Sequence, residues 1–570
     1  MKKGTKHVAL VMLLVLLVSF SLAAQGKGDA ASDAEVVSVT PVGTYPVVEK
    51  PVTLSFLTLQ PVYIENFETN RFANYWTEKT GVSIDWETIP RDAVKEKLNI
   101  ILASGDYPDV FFGLGNQEQG IGVSQEMTYG VQEQMFLPLN DLIDQYMPNL
   151  SKLLDERPGS RQFLTAPDGN IYSLPDFNEC YHCSMSQKMF IYEPWLEELG
   201  LDMPTTTDEL YEVLVAFRDR DPNGNGKKDE IPMAGAVSGW NNNPETFLIN
   251  AFTYTNLVAS LDANVNTAIG FYREGDTIKT MVNTPAYKNA LHYLAKLYSE
   301  GLIYPATYSQ DSDQLTQLVE GPEDPIVGVV AGGYGGMFSI VGGDRYRNYR
   351  AMAPLQGPEG AQFVRYFLQA PVIGNVAISK DCKNPAAVAR MIDFLYSDEG
   401  TLMSNYGFEG EGWRYAKEGE VGLDGKQAIY KLLKPWNDMD PQNDCFVMLG
   451  VRANTSRMRN GESVNPNTDL HSAEGLEALL FQITQQLYEP YARPELEIPT
   501  LRFLEDEEQD FASKRVAYAN YVRQSLVKFI TGNWDVDADW NQYVAGLDKL
   551  DIDGILALNQ KAYDRQNGSN

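Results

Sequence analysis

Apolar positions recur along the chain with two periods, and their alternation outlines an architecture before any single residue is weighed. Val52 to Leu57 and Gly81 to Trp86 alternate with period two, and Pro108 to Phe112 is a short apolar run, so each reads as a strand. Helical stretches from about Asn66 to Lys79 and from Ala93 to Ala103 separate them. Strand and helix alternating at this spacing predict an α/β layer with parallel strands. Helical patterns predominate after Leu139. One is sharply delimited: Thr206 and Glu209 form a capping box, and Leu210, Val213, Leu214 and Phe217 share one face until Asp219. Further helices are predicted over Ala286 to Glu300, Pro385 to Tyr396, Leu476 to Glu489, Lys514 to Ile530 and Asp551 to Asp564. Further strands are predicted over Ile326 to Ala331 and Val372 to Ile378.

The first residues fit neither period. Lys2, Lys3 and Lys6 precede an apolar run from Val8 to Val18, and small residues follow, with Ser21-Leu22-Ala23 or Leu22-Ala23-Ala24 as the processing site. Residues 1–24 therefore read as a signal peptide, and 25–50 as a flexible lead-in. No other stretch approaches the roughly 20 apolar residues that span a bilayer. A lipid anchor needs a cysteine at the processing site, and the first cysteine is Cys180. The expectation is an exported, soluble, periplasmic protein without a lipid anchor.

The remaining ~540 residues exceed a single core, so two or more domains are expected. A content of 44% hydrophobic residues fits a folded chain, and the formal net charge of −31 argues against a nucleic-acid partner. The four cysteines, Cys180, Cys183, Cys382 and Cys445, allow up to two disulfides in an oxidising compartment. Cys180-Tyr-His-Cys183 reads as a local disulfide or a spare thiol pair. A metal or redox site is the alternative, and zinc there would need a fourth ligand.

The segment from Asp219 to Glu230 carries the strongest local chemistry. Calcium takes six to eight oxygens, which a tightly turning loop supplies from alternating side chains. Counting from Asp219 gives an EF-hand-like register that puts Lys227 in a ligand slot. Counting from Asp221 points Asp221, Asn223, Asn225 and Asp229 inward, asks only a backbone carbonyl of Lys227, and closes the shell with Glu230; this second register is preferred. Two stretches mix aromatics with planar polar side chains, as sugar binding requires: one holds Trp240 and Asn242, the other Glu409 and Trp413. Tyr334 sits on a glycine loop that permits close approach. No metalloprotease, nucleophile-elbow or phosphate-loop motif is present. A glycosidase needs only two carboxylates, and with 77 acidic residues an exported glycan-degrading enzyme stands as the alternative.

Across nearly the whole mature length the chain resembles the family 1 extracellular solute-binding proteins of carbohydrate ABC importers, in the branch of the alginate-oligosaccharide binders. The resemblance rests on Leu102 to Asp109, Leu139 to Ile143, Asp168 to Pro175, Trp195 to Leu201, Pro204 to Glu209 and on to Pro232. It continues through Tyr298 to Leu302, Tyr396 to Gly400, Phe529 to Gly532 and Gln560 to Arg565. It implies a periplasmic-binding-protein-like fold, with two α/β lobes joined by crossing strands and solute held between them by hinge closure. Residues 51–175 and 346–405 are expected in lobe 1, and 176–345 and 406–570 in lobe 2. The resemblance also implies a structural Ca2+ on Asp221, Asn223, Asn225, Lys227, Asp229 and Glu230. A carbohydrate ligand, the permease subunits of an importer, a monomeric state and no catalysis complete the expectation.

Overall fold

The computed structural model describes residues 36–115, 120–257, 269–434, 441–447 and 449–568, without the side chains at 92, 505 and 508–510. The expected signal peptide, 1–24, lies outside the described residues. The alternation predicted for the front of the chain is present as β1 (Val52–Gln60), β2 (Val82–Pro90) and β3 (Val110–Phe112). β1 pairs in parallel with both, placing Phe56 opposite Trp86 on one side and Val110 on the other. The helix between β1 and β2, Arg71–Thr80, starts where the Asn70 side chain accepts the Ala73 N–H and stops at Gly81, whose φ of 73° suits glycine. It packs Trp76 edge-on to Phe56.

Three later strands complete this sheet: β4 (Leu174–Asn178), β11 (Val372–Ile378) and β14 (Ala453–Asn454). Their order is β14-β4-β11-β3-β1-β2, with β11 antiparallel to both of its neighbours. The period-two pattern of β1 buries both faces: Leu54 and Phe56 join the main core of this body, while Leu57 and Leu59 join a smaller core behind the sheet. A second sheet holds β5 (Lys188–Tyr192), β6 (Ile231–Ala234), β9 (Val327–Gly332) and β10 (Tyr349–Ala351) in the order β10-β5-β9-β6. Two hairpins lie apart from these sheets, β7 (Phe271–Glu274) with β8 (Thr277–Thr280), and β12 (Trp413–Tyr415) with β13 (Tyr430–Leu432).

The capping box forms as read: Thr206 Oγ1 accepts the Glu209 N–H at 3.1 Å and Glu209 Oε2 accepts the Thr206 N–H at 3.2 Å. The helix Thr207–Asp219 then buries Leu210, Val213, Leu214 and Phe217. The helix expected from Lys514 begins earlier, at Glu505. Acidic residues at its start, among them Asp506 and Glu507, interrupt the apolar period in the sequence.

Two large cores define two bodies. One gathers residues from Val47 to Phe177 and from Ile373 to Met458; the other gathers Met185 to Val364 and Tyr488 to Tyr563. Among the described residues the chain therefore crosses between bodies three times, and two expected boundaries move. Residues 346–364 join the second body, because β10 pairs with β5 and Tyr349, Met352, Leu355 and Val364 enter its core. The described residues of 406–458 join the first, because Trp413, Tyr430 and Phe446 fill its core and β14 extends its sheet. The lead-in is also corrected over 36–50: Val47 and Val48 are buried in the first core, and the Val47 N–H donates to Thr80 O at 2.8 Å.

Candidate functional site

The three crossings meet at one turn. The first crossing contains a short helix, Tyr181–Ser184, bridged by the disulfide Cys180–Cys183, which bears out the local pairing. Cys382 and Cys445 are buried free thiols. The second crossing donates Gln369 Nε2 to Cys180 O at 2.5 Å and the Phe367 N–H to Ser184 O at 2.7 Å. The third supplies Arg459, whose Nη2 lies 3.3 Å from Cys180 Sγ and 3.0 Å from Glu477 Oε2. Glu477 Oε2 is also 3.5 Å from His182 Nε2. From β5, Lys188 Nζ donates to the carbonyls of His182 and Met185 at 3.1 and 2.6 Å. Burial lowers the Lys188 ammonium to about 7.

Two of the expected sugar residues stand beside this turn. Trp240 and Tyr334, on loops following β6 and β9, are half-buried with ring centroids 6.3 Å apart. Trp240 also meets the His182 ring edge-on at 6.4 Å. A Cβ at Gly333 would lie 2.2 Å from Trp240 Cε3, so glycine there lets the indole rest on the backbone. The other three residues behave differently. Asn242 is fully buried and braces the loop, its Nδ2 donating to Ala331 O at 3.0 Å. Trp413 is 1% exposed in the first core, with Nε1 bonded to Gly407 O at 2.8 Å. Both are corrected to structural roles. Glu409 is exposed and neighbours Trp413 through a backbone bridge, in the other body from Trp240. The sequence reading missed His182, Glu477 and Arg459 as a group. Only the C-Y-H-C spelling pointed at the first, and nothing local ties the others to it.

The loop from Asp221 to Glu230 curls around its own acidic side chains. Asp221 (φ 48°), Gly224 (φ 69°) and Gly226 (φ 75°) take left-handed conformations that make the curl possible. Asp221 accepts the N–H groups of Asn225 and Gly226 at 3.2 and 2.9 Å, and Asn225 Oδ1 accepts the Lys227 N–H at 2.8 Å. The Lys227 side chain is exposed. Asn223 Nδ2 and Asn225 Nδ2 reach Asp229 Oδ1 at 3.4 and 3.3 Å. Asn225 Nδ2 also reaches Asp324 Oδ2 at 3.3 Å, an acid the local pattern could not supply. Asp324 arrives because β6 pairs in parallel with β9, Ile231 opposite Val327, which sets the two preceding loops side by side. Glu230 Oε1 is buried without a hydrogen-bond partner. Burial, then the charges of Asp221 and Asp229, push the Glu230 carboxyl up. An orphaned hard oxygen among like-charged carboxylates is the donor set a hard cation would satisfy.

The sequence matches the family model of the bacterial extracellular solute-binding proteins over residues 61–402, more than half of the chain. The chain belongs to that family. The family reading replaces the enzyme alternative, because the matched family is one of solute-binding proteins and the relatives are substrate-binding proteins of ABC transporters. A curated relative, the fructooligosaccharide ABC transporter substrate-binding protein FusA of Streptococcus pneumoniae, is 28% identical over 566 residues, covering 95% of each chain. The structure of FusA in complex with kestose superposes with a TM-score of 0.69 at 25% identity, covering 91% of this chain and 100% of that one. An HMO-binding solute-binding protein of Bifidobacterium longum infantis gives a TM-score of 0.74 at 22% identity, over 90% of this chain and 99% of its own. The alginate-binding protein AlgQ2, solved without calcium ion, gives 0.64 at 23%, over 92% of this chain and 100% of its own. These likenesses establish the two-lobed binding-protein fold for this member of the family. Among the described residues, no helix is long and apolar enough to cross a membrane.

Proposed function

We propose that this solute-binding protein captures an oligosaccharide between its two bodies and presents it, as a monomer, to the permease subunits of an ABC importer. The observation that carries the reading is the half-buried Trp240–Tyr334 pair at the turn where the crossings meet, in a chain that aligns over 95% of its length with a fructooligosaccharide ABC transporter substrate-binding protein. Aromatic faces stack on the C–H surfaces of sugars, and closure is driven by the extra contacts that solute makes in the closed state. The Cys180–Cys183 disulfide supports an oxidising, extracytoplasmic home, the periplasm. A thermal-shift screen with neutral fructans, milk-type oligosaccharides and alginate fragments tests the reading. A cognate sugar at 100 times its Kd adds about 2.7 kcal/mol. Trp240→Ala should weaken that sugar at least about tenfold by calorimetric titration, about 1.4 kcal/mol. Silence across every oligosaccharide would sink the carbohydrate assignment.

The same proposal places a structural Ca2+ in the loop, held by Asp221, Asn223, Asn225, Asp229, Glu230 and the Lys227 carbonyl, with Asp324 beside them. The buried, unpartnered Glu230 oxygen supports it. Bound calcium would neutralise the mutual repulsion of these carboxylates. Chelation with EGTA should therefore lower the Tm, and Asp229→Ala should be insensitive to chelator while keeping its sugar affinity. An unchanged Tm on chelation would remove the ion from the account.

A further inference from the structure

The disulfide-bridged turn at the crossings contains more chemistry than a staple requires. We infer that, once reduced by a dithiol, the Cys180-Tyr-His-Cys183 turn is a zinc site. Cys180, His182 and Cys183 are its protein ligands, solvent takes the fourth position, and Glu477 orients the imidazole. In the oxidised turn the ligand atoms of these three residues lie within 4.8 Å of one another, the two sulfurs bonded to each other. A C-x2-C turn is the spacing that soft divalent metals take from thiolates. His182 presents Nε2 to Glu477 Oε2 at 3.5 Å, which leaves Nδ1 for the metal in a carboxylate–histidine arrangement. Cys183 Sγ lies 3.9 Å from the ring nitrogens. Two thiolates and Glu477 outweigh the cations Arg459 and Lys188, so the reduced pocket draws in a divalent cation.

The redox step is a two-electron exchange. One dithiol sulfur attacks Cys183 Sγ, the more exposed of the pair, and the S–S bond breaks. The electron pair leaves on Cys180 Sγ, where Arg459 Nη2 at 3.3 Å stabilises the thiolate. The second dithiol sulfur then displaces Cys183 and closes the reductant into its own disulfide. The protons of the dithiol pass to the cysteines and are released to solvent when zinc binds. Cys382 and Cys445 do not compete, because burial holds their thiols up at about 12 and about 11.

The test uses the full mature chain with its calcium loop saturated. Protein is reduced with a dithiol, desalted anaerobically and titrated with zinc against a chromophoric chelator. Reduced protein should take up one equivalent that oxidised protein does not, and Co2+ should give thiolate charge-transfer absorption. Cys183→Ser should abolish uptake, His182→Ala should weaken it at least tenfold, and Glu477→Gln should weaken it by about 10- to 100-fold. Uptake equal in the oxidised protein, uptake surviving Cys183→Ser, or a cobalt spectrum without thiolate absorption would each overturn the assignment. So would no uptake by the reduced wild type, a measurement that needs no variant to fold.

Discussion

Trp413→Ala should destabilise the protein by about 3–5 kcal/mol, the range for emptying a large buried aromatic, while leaving the sugar affinity of the folded fraction unchanged. Trp413 is 1% exposed, packs edge-on to Tyr415 at 5.0 Å and shares its core with Tyr430 and Phe446. Its indole N–H is bonded to Gly407 O at 2.8 Å, so truncation also strands that buried carbonyl. Denaturant unfolding followed beside calorimetric sugar titration separates the two effects. Trp240→Ala is the counterpart, losing affinity with little loss of stability. If Trp413→Ala lost affinity at wild-type stability, the β12–β13 hairpin would have to open toward solute, and the core placement would fail.

That contrast marks the limit of what the sequence could tell. Trp240 and Trp413 sit in similar local company, among glycines, asparagines and glutamates, and no period distinguishes them. The difference is made by pairing: β12 folds against β13 and carries Trp413 inward, whereas Gly333 leaves room for Trp240 to lie on the surface of a loop. Elements with strong local signals were legible. The Thr206 capping box, the alternation in β1 and the oxygen-rich loop after Asp219 are each written within about a dozen residues. Features assembled by long-range pairing were not. β10 crosses to the second sheet, β14 returns to the first, and Asp324 reaches the acidic loop only through the β6–β9 register. The three-way meeting at Cys180 draws on Gln369, Arg459 and Glu477, which have no shared pattern in the chain.

Arg502→Met should likewise cost about 3–5 kcal/mol, because it leaves a buried carboxylate without its partner. Arg502 belongs to the segment leading into the helix Glu505–Ile530, yet its guanidinium enters the first body. There Nη1 meets Glu126 Oε2 at 2.9 Å, and Nε and Nη2 donate to Phe163 O at 3.2 and 3.1 Å. Its backbone stays with the second body's C-terminal helix: the Arg502 N–H donates to Gln566 Oε1 and Arg565 Nη2 donates to Arg502 O. One residue thus ties the bodies together at a point separate from the Cys180 turn. The tie reaches the sheet as well, since Ser173 donates to Glu126 and accepts the Gly374 N–H at 2.7 Å. Burial outweighs the pull of Arg502 and holds the Glu126 carboxyl above its usual range, so the unpaired acid would be costly. The double variant Arg502→Met with Glu126→Leu should recover most of the loss, because it leaves no buried charge unpaired and costs only the neutral hydrogen bonds to Phe163 O and from Ser173. A double-mutant cycle on unfolding free energy checks this, and small-angle scattering with and without sugar reads the motion. Strong coupling with an altered closing angle makes Arg502 a second pivot. Strong coupling with unchanged scattering makes it a clamp that lets the bodies turn only about the crossings.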